Sequence, residues 1–133
     1  MTCVDSNVLL DLAQAEPRWL AWSRARLAEA MEAGGILAND VVYAEVSVGF
    51  TDSAGLDAFL GLLGVSLVRS PPEALFLAAR AHLEYRRRGG TRTGVLPDVF
   101  IGADAAVRGV PLLTRDAARY RTCFPELHLI APG

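Results

Sequence analysis

Short apolar runs alternate with longer helical segments along the whole chain. Each run ends in a polar cluster and has the length of a buried strand, and each segment between two runs repeats its apolar residues at helical spacing. The predicted strands cover residues 2–4, 36–38, 65–68, 111–114 and 127–130. Strands separated by helices imply right-handed crossovers and a parallel sheet with helices on both faces. The sequence therefore predicts a single α/β domain of 133 residues.

Glycine and proline mark the ends of the predicted helices, which cover residues 18–33, 40–50, 54–63, 73–88 and 98–108. Gly64 and Gly109 directly follow two of these helices, as is typical of helix C-termini. Pro17 occupies a predicted first helical position, and Pro97 precedes a helix predicted to begin near Asp98. The segment 89–96 (GGTRTGVL) is predicted to be a mobile loop.

The charged residues disfavour several classes of protein. A net charge of −2 argues against a nucleic-acid coat protein that depends on bulk positive charge. All 13 basic residues are arginine, so no lysine is present to act as a Schiff base, phosphate clamp or general base. This disfavours P-loop NTPases and receiver domains. A phosphatase of the haloacid-dehalogenase type is disfavoured as well, because position 7 is Asn rather than a second aspartate.

The sequence predicts a cytoplasmic protein with no membrane partner. The N-terminal residues lack the pattern of a secretory signal, and no apolar run approaches the roughly 18 residues of a membrane span. Cys3 and Cys123 have no metal-binding or redox spacing, so we expect free thiols in a reducing compartment.

The apolar fraction of 52% indicates a sheet covered on both faces, an apolar surface that meets a partner, or both. Large apolar residues are concentrated in and after the first long helix. Core packing is the default interpretation for any one of them. They are Trp19, Leu20, Trp22, Leu27, Phe50, Phe59 and Leu60.

Four carboxylates carry the clearest chemical signal. Asp5 ends the first strand, Asp116 follows the fourth, Glu45 lies in the helix after the second, and Asp98 opens a late helix. In parallel α/β folds the carboxyl ends of the strands form the site crevice. A cluster of three or four carboxylates, with neutral oxygens from Asn7 and Thr114, is the ligand set that Mg²⁺ or Mn²⁺ requires.

Each acidic residue also has a structural interpretation. Asp5, Asp98 and Asp116 occupy positions where aspartate often forms a turn or caps a helix. Glu45 is harder to explain in this way, because its helix is apolar almost all round and an unpaired buried carboxylate is costly. Asp104 either points toward the site as a further metal ligand or pairs with Arg108 four residues later.

Four segments together resemble the PIN-domain family and, within it, the VapC-type ribonuclease toxins of toxin–antitoxin pairs. They are VDSNVLLDL at 4–12, NDVVYAEV at 39–46, LPDVFIGADAAVRGVPLLTRD at 96–116 and HLIAP at 128–132. The resemblance implies a three-layer α/β/α fold with about five parallel strands. It implies Asp5, Glu45, Asp98 and Asp116 as catalytic, metal-binding carboxylates, assisted by Asn7 and Thr114.

The same resemblance implies Mg²⁺- or Mn²⁺-dependent cleavage of RNA, a homodimer and inhibition by a cognate antitoxin. It also suggests antitoxin and dimer contacts on the large apolar residues named above. Such chemistry needs no histidine, so His82 and His128 are expected to be structural. A PIN-like module that only binds RNA or protein, and a DNA nuclease on the same fold, are the alternatives.

Arginines are expected to guide RNA phosphates to the acidic site. Arg86, Arg87, Arg88 and Arg92 surround the glycine loop, whereas Arg115, Arg119 and Arg121 lie in and beyond the Asp116 turn. The first three equally suit a solvated helix C-terminus. Arg115 equally suits the anchoring of an antitoxin tail or of a site carboxylate.

Overall fold

A computed structural model describes residues 1–133 and contains a five-stranded, entirely parallel sheet. The strands are β1 (Thr2–Val4), β2 (Ile36–Ala38), β3 (Val65–Leu67), β4 (Leu112–Leu113) and β5 (Leu129–Ile130), in the order β3-β2-β1-β4-β5. All five predicted strands are present, although the last three are shorter than predicted. The predicted α/β class and parallel sheet are therefore confirmed.

Seven α-helices connect and cover the strands. They are α1 (Ser6–Ala13), α2 (Leu20–Glu32), α3 (Asp40–Val46), α4 (Ser53–Leu63), α5 (Pro72–Arg87), α6 (Val95–Arg108) and α7 (Ala117–Arg121). A short 3-10 helix, Ser47–Gly49, extends α3. One group forms where α1 packs on α2 and α3, and another where α6 packs on α5 and α7. Together with the sheet, these groups form the three-layer α/β/α fold.

The sequence analysis missed α1 and α7. Helix α1 follows β1 after the single residue Asp5, so no turn separates the two elements, and Asp5 itself caps the helix by accepting a hydrogen bond from the Ser6 amide. Helix α7 has only 5 residues, too few to show a helical period. The prediction that Pro17 opens a helix was wrong, because α2 begins at Leu20.

Helix α6 begins three residues earlier than predicted, at Val95. Gly94 caps it with a positive φ of 76°, and Pro97 lies in its first turn, where a missing amide hydrogen costs little. Asp98 is therefore inside the first turn rather than at the cap. The exposed loop that precedes the helix is correspondingly shorter than the predicted segment 89–96.

Helix α6 contributes to two hydrophobic clusters. Ile101 and Ala105 belong to the main core around the sheet, whereas Val99 and Ala103 belong to a smaller cluster with residues of α5 and with Phe124. Of the large apolar residues noted in the sequence, several confirm the core interpretation: Leu27 and Leu60 are buried in the main core, and Trp22, Phe50 and Phe59 pack against it.

The strand order reverses between β1 and β4. The chain runs from β1 outward through β2 to β3, and then returns to place β4 on the other side of β1. Crevices at such reversal points, beyond the carboxyl ends of the strands, are the usual ligand sites of open parallel sheets. Here the residues that follow the two strands are Asp5 and Thr114.

None of the helices is by itself long and apolar enough to cross a membrane. One bent pair, Asp40–Gly49 with Ser53–Leu63 at 112°, meets the criteria of length and composition when taken together.

Candidate active site

Asp5 lies at the centre of the crevice between β1 and β4. Its side chain is buried and accepts hydrogen bonds from the Ser6 amide at 2.7 Å, the Thr114 hydroxyl at 2.8 Å and the Tyr120 hydroxyl at 2.8 Å. These donors come from α1, the turn after β4, and α7. Because hydrogen bonds to an ionised carboxylate are among the stronger ones, Asp5 is held in a fixed orientation.

Glu45 reaches the same crevice from α3. Its Oε1 atom accepts a hydrogen bond from the Ser6 hydroxyl at 2.8 Å, and that hydroxyl also lies 3.4 Å from Asp5 Oδ1. The sequence suggested a buried glutamate, but its side chain is only half-buried, since this part of α3 is open to solvent. Ser6 therefore links Glu45 to Asp5 while solvent still reaches the glutamate.

Asp98 is buried in the crevice and has a shifted pKa. Burial raises the pKa of Asp98 to about 6; the Arg119 guanidinium opposes this rise, and the nearby Asp5 charge adds to it. Arg119 binds both carboxylate oxygens, with N–O distances of 2.9 and 3.1 Å. A buried carboxylate with a strongly shifted pKa in a crevice is typical of a functional site.

Asp116 completes the acidic set and is more accessible than Asp5 and Asp98. Its side chain is 47% exposed, and its Oδ2 atom lies 3.8 Å from Arg119 Nε. Its backbone amide donates to the Thr114 hydroxyl oxygen at 3.0 Å. The same oxygen accepts a hydrogen bond from the Asn7 amide group at 3.4 Å, so Thr114 and Asn7 brace the turn that carries Asp116.

One network of contacts therefore joins the four acids. Ser6 bridges Asp5 and Glu45, Thr114 bridges Asp5 and the Asp116 backbone, and Arg119 bridges Asp98 and Asp116. Asn7 and Thr114, which the sequence analysis proposed as neutral ligands, are in the same network. The structure places all six proposed residues at one end of the sheet.

Tyr120 is a site residue that the sequence analysis missed. It is fully buried, and burial together with the Asp5 and Asp98 charges raises the pKa of its hydroxyl. The hydroxyl therefore stays protonated and serves only as a donor to Asp5. The sequence does place a tyrosine four residues after Asp116. This spacing indicates that Tyr120 is near the site only when residues 117–121 are known to form a helix.

The four carboxylates fit a hard divalent cation as ligands, but a positively charged side chain, that of Arg119, already lies among them. Asp5, Glu45, Asp98 and Asp116 offer carboxylate oxygens, the ligand type that Mg²⁺ and Mn²⁺ prefer. No three acidic, histidine or cysteine side chains are close enough to share one ion in this arrangement. Instead the Arg119 guanidinium lies between Asp98 and Asp116 and supplies the positive charge.

Asp104 lies apart from this network. Its buried carboxylate binds Arg108 within α6 and accepts hydrogen bonds from the Ser70 hydroxyl at 2.6 Å and the Asn39 amide group at 3.2 Å. Asp104 was predicted either to be a further metal ligand or to pair with Arg108, and the structure shows the ion pair with Arg108. Because its contacts lie with these three residues, we leave Asp104 out of the proposed metal ligands.

Arg115 is held by a second buried carboxylate, that of Asp11. Its Nε atom donates to Asp11 Oδ2 at 2.8 Å, and the buried Ser23 hydroxyl donates to the same oxygen at 2.6 Å. The Arg115 guanidinium also lies over the Trp19 ring, 5.4 Å from its centroid. These contacts favour an anchoring role for Arg115 rather than the predicted contact with substrate. The sequence analysis assigned no role to Asp11.

The remaining candidate arginines differ in their distance from the acids. Arg92 NH2 lies 3.5 Å from Asp98 Oδ2 and its side chain is 44% exposed. Arg88 donates to the Thr122 backbone carbonyl at 3.3 Å, whereas Arg86 and Arg87 are exposed at the end of α5. Of this group, the structure places only Arg92 against a site carboxylate.

Comparison with known proteins shows the family of the chain. A family model described as "PIN domain" matches residues 2–125, nearly the whole chain. No curated protein matches the sequence.

Several solved structures share the fold at low sequence identity. VapBC2 from Rickettsia felis, bound to a DNA fragment from its promoter, is 16% identical with a TM-score of 0.77 over 99% of this chain and 98% of that chain. DNA-bound VapBC from Salmonella typhimurium is 15% identical with a TM-score of 0.73 over 98% and 96%. A toxin–antitoxin complex from Klebsiella pneumoniae is 20% identical with a TM-score of 0.67 over 100% and 98%.

Proposed function

The chain belongs to the PIN-domain family, and from this premise we propose that it is a Mg²⁺- or Mn²⁺-dependent endoribonuclease that hydrolyses RNA phosphodiester bonds. The observation that carries the proposal is the convergence of Asp5, Glu45, Asp98 and Asp116 in one network at the carboxyl ends of β1 and β4. Helices, turns and strand ends that are distant in sequence all direct oxygen donors to this crevice.

The side chains of the site have three roles: metal binding, orientation of a carboxylate and proton transfer. Asp5, Asp98 and Asp116 would hold the metal, and when bound it lowers the pKa of water and neutralises charge on the phosphate. Thr114 and Tyr120 orient Asp5 through their hydroxyl groups. Glu45 uses Oε1 to accept a hydrogen bond from the Ser6 hydroxyl, so its Oε2 atom would accept a proton from the attacking water.

Two arginines beside the acids suit the phosphates of the substrate. Arg92 and Arg119 both contact Asp98, and guanidinium groups bind phosphate in the planar, two-point manner in which they bind carboxylate. The exposed Arg86, Arg87 and Arg88 would add a longer-range attraction for RNA. Arg115 is engaged by Asp11 and holds the turn that precedes Asp116.

We also propose that the protein is a cytoplasmic toxin that forms a homodimer and is neutralised by a cognate antitoxin. The structural neighbours in toxin–antitoxin complexes support the antitoxin. Exposed apolar side chains, including Val48 at 79% and Leu62 at 88%, offer surface for partner contacts. The free thiols of Cys3 and Cys123 are consistent with a reducing compartment.

Cleavage of a structured RNA pool by the purified protein tests the proposal. We expect cleavage with Mg²⁺ or Mn²⁺, none with EDTA, and a loss of cleavage in Asp116→Asn, a half-exposed site whose replacement leaves the core intact. Asp57→Asn makes the same chemical change at an exposed position of α4 and should retain activity.

Three results would contradict the proposal. RNA binding without cleavage would favour the binding module, and preferential cleavage of DNA of the same sequence would favour a DNA nuclease. Cleavage that survives in Asp116→Asn would indicate a contaminant or a different site.

A further inference from the structure

The Arg119 guanidinium occupies the space between two carboxylates of the acidic network. Its NH2 and Nε atoms bind the two oxygens of Asp98 at 2.9 and 3.1 Å, and Nε lies 3.8 Å from Asp116 Oδ2. The Asp98 side chain is only 4% exposed, whereas that of Arg119 is 33% exposed. The cation therefore enters the site from the solvent side and covers the buried carboxylate.

This contact uses both oxygens of Asp98. A carboxylate whose two oxygens bind one guanidinium in a bidentate pair has little capacity left for a metal ion. Burying the ionised Asp98 carboxylate with no cation beside it would be costly, so the ionised form needs a positive charge at this position. Two arginines supply that charge in the present arrangement, and Arg119 is the closer of the two to Asp98, since Arg92 lies at 3.5 Å.

Building on the proposed metal-dependent function, we propose that Arg119 is a displaceable counter-cation: a divalent ion replaces its guanidinium between Asp98 and Asp116, and the released guanidinium binds a phosphate of the RNA substrate. The exchange keeps the buried carboxylate neutralised throughout. It also couples the arrival of the metal to the exposure of a phosphate-binding group.

The contacts of Arg119 are suited to such an exchange. Its guanidinium contacts the two carboxylates that a metal would use, and it lies on the 5-residue helix α7. Arg115, four residues earlier, is held differently: Asp11, which also binds Ser23, and the Trp19 ring fix it on two sides. The chain thus contains one fixed and one exchangeable arginine beside the same turn.

Metal affinity measured without RNA tests the exchange directly. If the guanidinium competes with the ion, the apparent affinity of the wild-type protein is lowered by the fraction of molecules in which the site is free. We expect Arg119→Gln to bind Mn²⁺ about tenfold or more tightly than wild type in calorimetric titrations. The metal-free Arg119→Gln protein should melt at a lower temperature than metal-free wild type, and Mn²⁺ should raise its melting temperature by more.

Two further variants separate competition from a general loss of charge. Arg121→Gln removes the same charge from an exposed position of α7 and should bind Mn²⁺ as wild type does. Arg119→Lys keeps the charge but loses the two-point contact, so it should bind Mn²⁺ more tightly than wild type. It also provides the test if Arg119→Gln fails to fold. Affinities equal to or weaker than wild type in the Arg119 variants would overturn the proposal.

RNA cleavage kinetics at saturating Mn²⁺ test the second half of the exchange, the binding of a phosphate by Arg119. Loss of a phosphate contact should raise KM in Arg119→Gln, whereas an unchanged KM would contradict the phosphate role. The outcomes also remain separable from those of the proposed function. RNA cleavage without tighter Mn²⁺ binding by the Arg119 variants would overturn only the exchange, whereas tighter binding without cleavage in any protein would overturn only the nuclease.

Discussion

Arg115 and Arg119 lie four residues apart and neutralise different buried carboxylates. Arg115 binds Asp11 of α1, and Arg119 binds Asp98 at the crevice. Asp11 has a second donor in Ser23, whereas Asp98 has a pKa raised to about 6 because burial outweighs the arginine beside it. At the scale of single residues, the first pair is structural and the second belongs to the site.

Replacing Arg115 by methionine should destabilise the fold. The change leaves the buried Asp11 carboxylate with only the Ser23 hydroxyl, and loss of one partner of a buried ion pair is costly. Because the Arg115 side chain is 28% exposed, we expect a loss of about 2–3 kcal/mol, at the lower end of such effects. Urea unfolding at neutral pH measures it.

Arg121→Met is the matched control, because Arg121 is exposed, and its effect should stay within about 0.5 kcal/mol. A double variant that also carries Asp11→Asn should be more stable than Arg115→Met alone, since no unpaired charge remains. Equal stability of Arg115→Met and Arg121→Met, with weaker RNA binding by the former, would instead restore the predicted substrate role.

Cys3 should be unreactive in the folded protein. Burial, with a contribution from Asp104, raises the pKa of its thiol from about 9 to about 12, and only the thiolate is nucleophilic. A disulfide reagent at pH 8 should label the half-buried Cys123 slowly and Cys3 only after unfolding. Equal labelling rates of the two thiols in the folded protein would contradict this.

The same shift makes stability depend on pH in the alkaline range. Above about pH 9 the unfolded chain loses the Cys3 proton while the folded chain keeps it up to about pH 12. The unfolded state then binds fewer protons, so the free energy of unfolding falls as pH rises through this window. In Cys3→Ala this part of the alkaline loss should disappear.

Helix α6 is the element on which the site most depends. It carries Asp98, faces the sheet core with one side and the α5 cluster with another, and packs against α7, which carries Arg119 and Tyr120. Gly102 lies at the contact with the α7 region: a Cβ atom there would lie 2.6 Å from ring atoms of Phe124 and 3.2 Å from Tyr120. The distance between α6 and α7 therefore depends on a glycine.

Gly102→Ala should destabilise the protein by about 1–3 kcal/mol through overpacking. Displacement of α7 should also move Tyr120 away from Asp5 and lower RNA cleavage. Gly61→Ala is the control within α4, where a Cβ atom meets nothing within 4 Å, and it should stabilise by up to about 1 kcal/mol. Urea unfolding and a cleavage assay measure both variants. A Gly102→Ala protein as stable as wild type would refute the packing argument.

The elements that the sequence predicted are those with a clear period or clear ends. The five strands and α2 to α6 were predicted, because each shows a buried run or a helical repeat bounded by glycine, proline or polar residues. Helix α1 was missed because it follows a strand without a turn, and α7 was missed because its 5 residues form only about one and a half helical turns. The start of α6 was misplaced because Pro97 was taken to lie outside the helix.

For the whole molecule, the four acids could be proposed from the sequence because two of them follow strands and all four match the PIN-domain pattern. Strand reversal between β1 and β4 brings residues at the ends of these strands together. The α/β pattern predicts a crevice at the carboxyl ends of the strands, but it does not predict which strands are neighbours. The partners of the acids could not be predicted in the same way. The hydroxyls of Ser6 and Tyr120 and the guanidinium of Arg119 reach the site through side-chain directions that depend on the packing of α1, α6 and α7.

Single-turnover cleavage of a labelled RNA by wild type and by Asp98→Asn tests the central claim most directly. We expect wild type to cleave only with Mg²⁺ or Mn²⁺, and activity removed by EDTA to return when excess Mn²⁺ is added. Asp98→Asn, shown to be folded by its far-ultraviolet spectrum, should be slower by at least about a hundredfold. Cleavage at the wild-type rate by Asp98→Asn, or by wild type in EDTA, would contradict a metal-dependent nuclease built on these four acids.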